Sequence, residues 1–239
     1  MTTSSEPASR KSRSPADPIA EAARRHFAVP YLYPIQRFVI SNILEDKNQI
    51  VVLPTGAGKS LCFQLPVRIC GALTVVVFPL LSLLEDQLGR CRQADLRAEA
   101  LRGGQSSGER RRLLGQLRSG KIDLLLTTPE TLESISSDKI SGRQWFMNTP
   151  IAHLVVDEAH CVSEWGESFR PAYLRMGETL RRLKFRCLTA FTATASPRIL
   201  ERIDEVLFPD QDVAILSVDP DRPNIRYSVL PTLSKIRTL

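Results

Sequence analysis

Runs of apolar residues alternate with amphipathic stretches along most of this chain. Continuous apolar segments rich in Val, Ile and Leu fall at about 49–53, 73–78, 97–101, 122–127, 151–156, 187–191 and 213–217. Each has strand length, and runs apolar at nearly every position suit strands buried on both faces. Helical segments lie between most of them, near 59–70, 82–93, 108–119, 172–184 and 196–207. Two further helices precede the first strand. Asp17-Pro18 reads as an N-cap followed by proline at the first helical position. Ile19, Ala22, Ala23, His26 and Phe27 then share one face. The second helix starts near Pro34, with Ile35, Phe38, Val39 and Ile43 as its apolar stripe. This repetition predicts an α/β fold: a mostly parallel central sheet with helices on both faces. Right-handed crossovers place every strand's C-terminal end on one edge, where such sheets bind ligands.

Composition narrows the class. The chain is 43% hydrophobic and 24% charged, which is ordinary for a globular domain. No apolar run approaches the ~18 residues of a membrane span, and no signal-peptide core opens the chain, so no membrane partner is expected. Residues 1–18 are Ser/Pro-rich with a basic cluster, Arg10, Lys11 and Arg13, and read as a disordered tail. One domain over 19–218 and a linker over 219–239 complete the division. The five cysteines include no C-x-x-C pair, so reduced thiols and no structural zinc are expected. The net charge of +6 favours an anionic partner only weakly. Arg110, Arg111, Arg112, Arg118 and Lys121 form one basic group, and Arg181, Arg182, Lys184 and Arg186 another. Solvated helix faces explain them equally well.

Specific chemistry begins at "QIVVLPTGAGKSLCFQLP", residues 49–66. A strand ends at Leu53, a loop of Pro54, Thr55, Gly56, Ala57 and Gly58 follows, and Lys59-Ser60 opens a helix. Loop N–H groups and the helix dipole together attract phosphate. Gly56 and Gly58 allow close approach and positive φ. Lys59 reaches the β- and γ-phosphates, and Ser60 is placed to ligate magnesium. Leu53 stands where the strict G-x-x-x-x-G-K-[ST] pattern has glycine.

A second cluster follows the strand at 151–156. Asp157 and Glu158 leave that strand at the same sheet edge as the phosphate loop. Nucleotide-bound Mg2+ needs a carboxylate, often through water, and Asp157 fits. Hydrolysis needs a group that orients water in line with the γ-phosphate, and Glu158 is the candidate. His160 is by itself more often structural than catalytic. Trp165, Phe169 and Arg170 follow on what Gly166, Glu164, Glu167 and Ser168 mark as a loop.

These segments resemble the first motor domain of RecQ-type DNA helicases, a superfamily 2 group, over roughly Phe27 to Tyr227. "LPTGAGKSLCFQLP" resembles motif I, "VVVFPLLSLLEDQL" (75–88) motif Ia, "TTPETL" (127–132) a motif Ib-type segment, "VVDEAH" motif II and "LTAFTATASP" (188–197) motif III. "DPDRPNIRY" (219–227) resembles the exit to a second motor domain, and "CVSEWGESFRPAY" after the DEAH letters narrows the likeness to RecQ. The resemblance implies a RecA-like P-loop lobe that uses ATP and Mg2+ and acts on single-stranded and partly duplex DNA, 3′ to 5′. It implies catalytic roles for Lys59, Asp157, Glu158 and His160, with Gln36 reading adenine. It also implies DNA binding or coupling by Ser82, Trp165, Phe169, Arg170, Thr192 and Thr194. Aromatic faces that stack on bases and a cation that tracks phosphate agree with that implication.

The chain departs from the family pattern in places. Glu164, Glu167 and Ser168 stand where Gln, His and Asp are usual, and added carboxylates repel phosphate. Val29 and Tyr33 replace an aromatic and an arginine of the adenine motif, leaving Tyr31 or Tyr33 to stack on the base. The arginine finger of this family comes from the second RecA-like domain, and such a residue contributes ~10³–10⁵ in rate. The 239 residues alone are therefore expected to be weakly active or inactive. A nucleotide-dependent nucleic-acid-binding or regulatory module without turnover is the alternative. An unrelated P-loop enzyme, such as a small-molecule kinase, fits less well. The expected compartment is the cytoplasm or nucleoid in a bacterium and the nucleus in a eukaryote.

Overall fold

A computed structural model describes residues 17–137, 146, 148–164, 171–193 and 196–218. Its strands are β1 (Gln49–Val52), β2 (Thr74–Val77), β3 (Ala98–Leu101), β4 (Leu124–Thr127), β5 (Ile151–Val156), β6 (Phe185–Thr192) and β7 (Ala214–Ser217). They form one sheet in the order β3-β4-β2-β5-β6-β1-β7, and every pairing is parallel. The seven strands expected from the apolar runs are all present.

The helices are α1 (Pro18–Phe27), α2 (Pro34–Leu44), α3 (Lys59–Cys70), α4 (Leu81–Gln93), α5 (Ser107–Arg118), α6 (Pro129–Ser137), α7 (Cys161–Glu164), α8 (Pro171–Leu174), α9 (Met176–Arg181) and α10 (Pro197–Leu207). Strand residues alternate between two cores, as the pleat requires. Ile50, Val75, Val77, Leu154 and Val156 pack with Leu113, Leu132, Leu180 and Ile203, from α5, α6, α9 and α10. Val51, Val76, Val155 and Phe191 pack with Val39, Phe63, Leu84 and Leu88, from α2, α3 and α4. A smaller cluster of Ile19, Ala23, Leu32, Ile40 and Leu65 fastens α1 to α2 and α3.

Several local expectations change. The N-cap at Asp17 is present, its carboxylate accepting from Ile19 and Ala20 N–H. His26, however, is exposed in the last turn of α1 beside Arg24 and Arg25, where cations suit the helix dipole. On α2 the buried stripe is Gln36, Val39, Ile40 and Ile43, while Phe38 is 65% exposed. That stripe has the i, i+3, i+4, i+7 spacing of one face, and Phe38 falls off it. The expected helix over 172–184 divides into α8 and α9 around Arg175, whose ψ of −3° departs from helical geometry. Helices α6 and α7 were not anticipated. Cys62, Cys91, Cys161 and Cys187 are buried and Cys70 is exposed. Burial pushes the Cys62 and Cys187 thiols up to about 12.

A polar group is sealed inside this core. The imidazole Nε2 of His153 lies 2.9 Å from Thr189 Oγ1, which also accepts from Gln49 Nε2 at 3.1 Å. Burial lowers the His153 pKa from 6.5 to about 3. Below about pH 6.5 the unfolded chain takes up a proton here that the folded chain refuses, so stability is lost as pH falls from about 6.5 towards 3. Between pH 7 and pH 5 this group accounts for about 2 kcal/mol. Denaturant unfolding of His153→Gln at the two pH values should show a loss smaller by about that amount than the unaltered chain shows. Equal losses would remove His153 as the titrating group.

Candidate nucleotide site

Parallel register brings the phosphate loop and the acidic pair together. Strand β6 lies between β1 and β5, with Val52 opposite Thr192 and Val156 opposite Ala190. Both turns are pinned to β6. Leu53 N–H donates to Thr192 O at 3.0 Å, and Ala159 N–H donates to Phe191 O at 2.8 Å. The ends of β1 and β5 therefore stand two strand spacings, roughly 10 Å, apart. A lysine side chain bridges the remaining gap.

The loop itself has the backbone that phosphate binding demands. Gly56 and Gly58 have φ of +85° and +79°, in the left-handed region. Gly58 caps α3 with no side-chain hydrogen bond, so no capping side chain competes with phosphate for the N–H groups of Lys59 and Ser60, while Leu61 N–H donates to Gly58 O at 3.1 Å. A Cβ on Gly58 would lie 2.4 Å from Gln36 Nε2, whereas one on Gly56 would meet nothing within 4 Å.

Lys59 Nζ lies 2.7 Å from Glu158 Oε1 and 3.7 Å from Asp157 Oδ1. Burial pushes the Asp157 carboxyl above its ordinary range; Lys59 opposes this and Glu158 adds to it. Asp157 Oδ1 is buried with no hydrogen bond. A buried carboxylate oxygen with spare lone pairs beside a phosphate loop suits a cation or its water shell. The residues thus fit a magnesium nucleotide, with the loop N–H groups and Lys59 toward the phosphates and Ser60 and Asp157 toward the metal. Ser60 Oγ–H at present donates to Gln87 Oε1 on α4 at 2.9 Å.

His160 Nδ1 lies 3.4 Å from Glu158 Oε2 and 3.3 Å from Thr192 Oγ1, linking the acid to the end of β6. Thr192 is fully buried, and Ser82 is exposed in the first turn of α4. Thr55 and Gly56 are exposed, while Ala57, Gly58, Lys59 and Ser60 are half-buried. Trp165, Phe169, Arg170 and Thr194 lie outside the described residues.

Gln36 lies between α2 and the phosphate loop. Its Oε1 accepts from Tyr33 N–H at 3.0 Å, and its Nε2 donates to Ala57 O at 3.0 Å. Here the amide tethers the phosphate loop to the start of α2, with one N–H and one oxygen lone pair left over. Tyr31 and Tyr33 are exposed and form an edge-to-face pair with centroids 6.1 Å apart. Gln87 escaped the sequence reading, although it lies inside the motif Ia-like segment; polar residues on α4 facing α3 were the available signal.

A parallel sheet with this loop and this acidic edge is a RecA-like nucleotide-binding motor lobe. The chain belongs to the DEAD/DEAH box helicase family, whose domain matches residues 33–203. Among curated relatives it is 39% identical over 199 residues to ATP-dependent DNA helicase Q5 of Rattus norvegicus, covering 82% of this chain and 20% of that protein. It is 38% identical over 225 residues to ATP-dependent DNA helicase RecQ of Synechocystis, covering 91% of this chain and 45% of that protein. The chain thus spans between a fifth and under a half of these relatives' lengths. The fold also matches the structure of Mycobacterium smegmatis helicase Lhr bound to ssDNA and AMP-PNP, at a TM-score of 0.66 and 23% identity, covering 85% of this chain and 28% of that one. The DNA-bound DUF1998 helicase MrfA matches at a TM-score of 0.65 and 18% identity, covering 86% and 30%.

The tether makes a specific prediction. Gly56→Ala and Gly58→Ala each force a side chain into left-handed backbone, at ~1–2 kcal/mol. Only Gly58→Ala should also break the Gln36–Ala57 bond, so it should lower the melting temperature further. In a double-mutant cycle, Gly58→Ala and Gln36→Ala should be non-additive, while Gly56→Ala and Gln36→Ala should simply add. Simple addition in both pairs would remove the tether.

Proposed function

We propose that this chain is the ATP-binding first motor lobe of a RecQ-type 3′-to-5′ DNA helicase, coupling hydrolysis to movement along single-stranded DNA and unwinding of partly duplex DNA. The observation that carries the reading is the convergence of Lys59, Asp157 and Glu158 on one sheet edge. The identity to proteins named as RecQ-type ATP-dependent DNA helicases supports the substrate class.

Each residue has work to do in that reaction. The loop N–H groups and Lys59 hold the β- and γ-phosphates. As Lys59 turns from Glu158 toward the phosphates, it frees that carboxylate to orient the attacking water. Ser60 and Asp157 hold Mg2+, which when bound neutralises charge developing on the phosphates. His160 Nδ1 stands 3.4 Å from the second oxygen of Glu158 and 3.3 Å from Thr192 Oγ1 at the end of β6. Tyr31 and Tyr33 offer aromatic faces to the base. Ser82, Thr194 and the Trp165–Phe169–Arg170 group contact the DNA strand and report its presence to the acids. A second RecA-like domain supplies the other wall of the cleft and the arginine finger. The division into a tail, a lobe to 218 and a linker at 219–239 belongs to the same proposal, with the boundary expected at 18 moved back because Asp17 and Pro18 already cap and open α1. The protein works in the cytoplasm or nucleoid of a bacterium, or the nucleus of a eukaryote. The closed Lys59–Glu158 pair favours one second reading, a nucleotide-dependent nucleic-acid-binding module without turnover.

Assays in the full-length protein separate these readings. Glu158→Gln should reduce DNA-stimulated ATP hydrolysis by ~10²–10⁴ while Mg-nucleotide affinity is kept. Lys59→Ala should lose both; turnover unchanged by either substitution would remove the assigned chemistry. Trp165→Ala should leave basal hydrolysis intact and reduce its stimulation by single-stranded DNA. Equal losses with and without DNA would count against a sensing role.

A further inference from the structure

Gln87 stands on α4, outside every loop to which phosphate chemistry has been assigned. Its Oε1 lies 2.9 Å from Ser60 Oγ, and the serine hydroxyl is the donor because an amide oxygen carries no proton. The contact joins residues 27 apart in sequence. It is held by helices that share one core, α3 through Cys62 and Phe63 and α4 through Leu84 and Leu88.

The direction of that hydrogen bond matters for a metal. Serine binds a divalent cation through an oxygen lone pair, and the cation draws charge out of the O–H bond. The proton must then point away from the metal, at an acceptor. Left alone near a helix N-terminus, a serine hydroxyl can rotate back toward nearby backbone carbonyls and lose that orientation. Gln87 prevents this: it takes the proton toward α4 and leaves the Oγ lone pairs free. It is also a neutral acceptor, so it adds no charge that would compete for the cation.

We propose that Gln87 is a positioning residue that orients Ser60 Oγ toward the divalent cation accompanying a bound nucleotide. The proposal rests on the nucleotide-binding reading above and deepens it. Outer partners of metal ligands typically change metal affinity by ~10–100-fold when removed.

The experiment titrates a fluorescent ATP analogue into the purified chain, first in EDTA and then across a range of Mg2+ concentrations. Gln87→Met keeps the unbranched stem and removes the acceptor. It should leave affinity in EDTA unchanged and raise the Mg2+ concentration needed for half-maximal tightening by ~10–100-fold. With Ser60→Ala as background, Gln87→Met should have no further effect. An unchanged Mg2+ requirement in Gln87→Met overturns the proposal, and so does a loss of affinity equal in EDTA and in Mg2+, which is what mere packing of α3 on α4 would give. If the unaltered chain binds the analogue under neither condition, the nucleotide-binding reading fails and takes this inference with it. Binding by the unaltered chain with no Mg2+ difference in Gln87→Met sinks the inference alone.

Discussion

The site depends on one cation held between two carboxylates. Lys59 Nζ sits 2.7 Å from Glu158 and 3.7 Å from Asp157, with all three side chains largely withdrawn from water. Two adjacent acids at a buried edge repel each other, and burial already pushes Asp157 toward its neutral form. The ammonium offsets that repulsion while no phosphate is present. Removing one member of such a group leaves an uncompensated buried charge, which is strongly destabilising. In the proposed nucleotide complex, Lys59 would turn toward the phosphates and the acids would gain a metal or its water shell in return.

Why the three groups meet at all follows from the sheet. All pairings are parallel, so every strand delivers its C-terminal end to the same edge. Strand β6 then acts as a ruler. It accepts Leu53 N–H at Thr192 and Ala159 N–H at Phe191, fixing the two turns in height relative to each other. A slip of one residue in either pairing would reverse the faces of an entire strand, sending Val51 or Val155 into the core on the opposite side of the sheet, where Ile50 and Val156 now pack. Core packing and site geometry are thus constrained by the same register.

The sheet was legible because strands buried on both faces write themselves as unbroken apolar runs. The phosphate loop and DEAH segment were legible because their chemistry admits few residue types. Helix α6 was missed because its sequence, PETLESISS, is mostly polar and begins at a Pro within a Thr-rich segment. Phe38 was misplaced because large apolar residues draw attention, whereas Ile40 completes the helical spacing and is fully buried. Gln36 and Gln87 were harder still. Glutamine offers both a donor and an acceptor, and its partner is chosen by tertiary approach, which local sequence does not encode. Both turned out to hold the phosphate loop, one through Ala57 and the other through Ser60.

Glu158 itself shows how far the surroundings dictate this edge. Its φ of +48° lies in the left-handed region, which is uncommon for a residue with a long side chain. Such a conformation costs on the order of 1–3 kcal/mol and persists only where its neighbours over-determine it. They do so here. Asp157 N–H is held by Val77 O on one side and Ala159 N–H by Phe191 O on the other, so the residue between them has little freedom to relax. The turn swings the Glu158 carboxylate back over the sheet, where Lys59 takes one oxygen and His160 stands 3.4 Å from the other. In a relaxed extended continuation of β5, successive side chains would point to opposite faces, separating the two acids. The strained turn is what lets neighbours in sequence serve one site together.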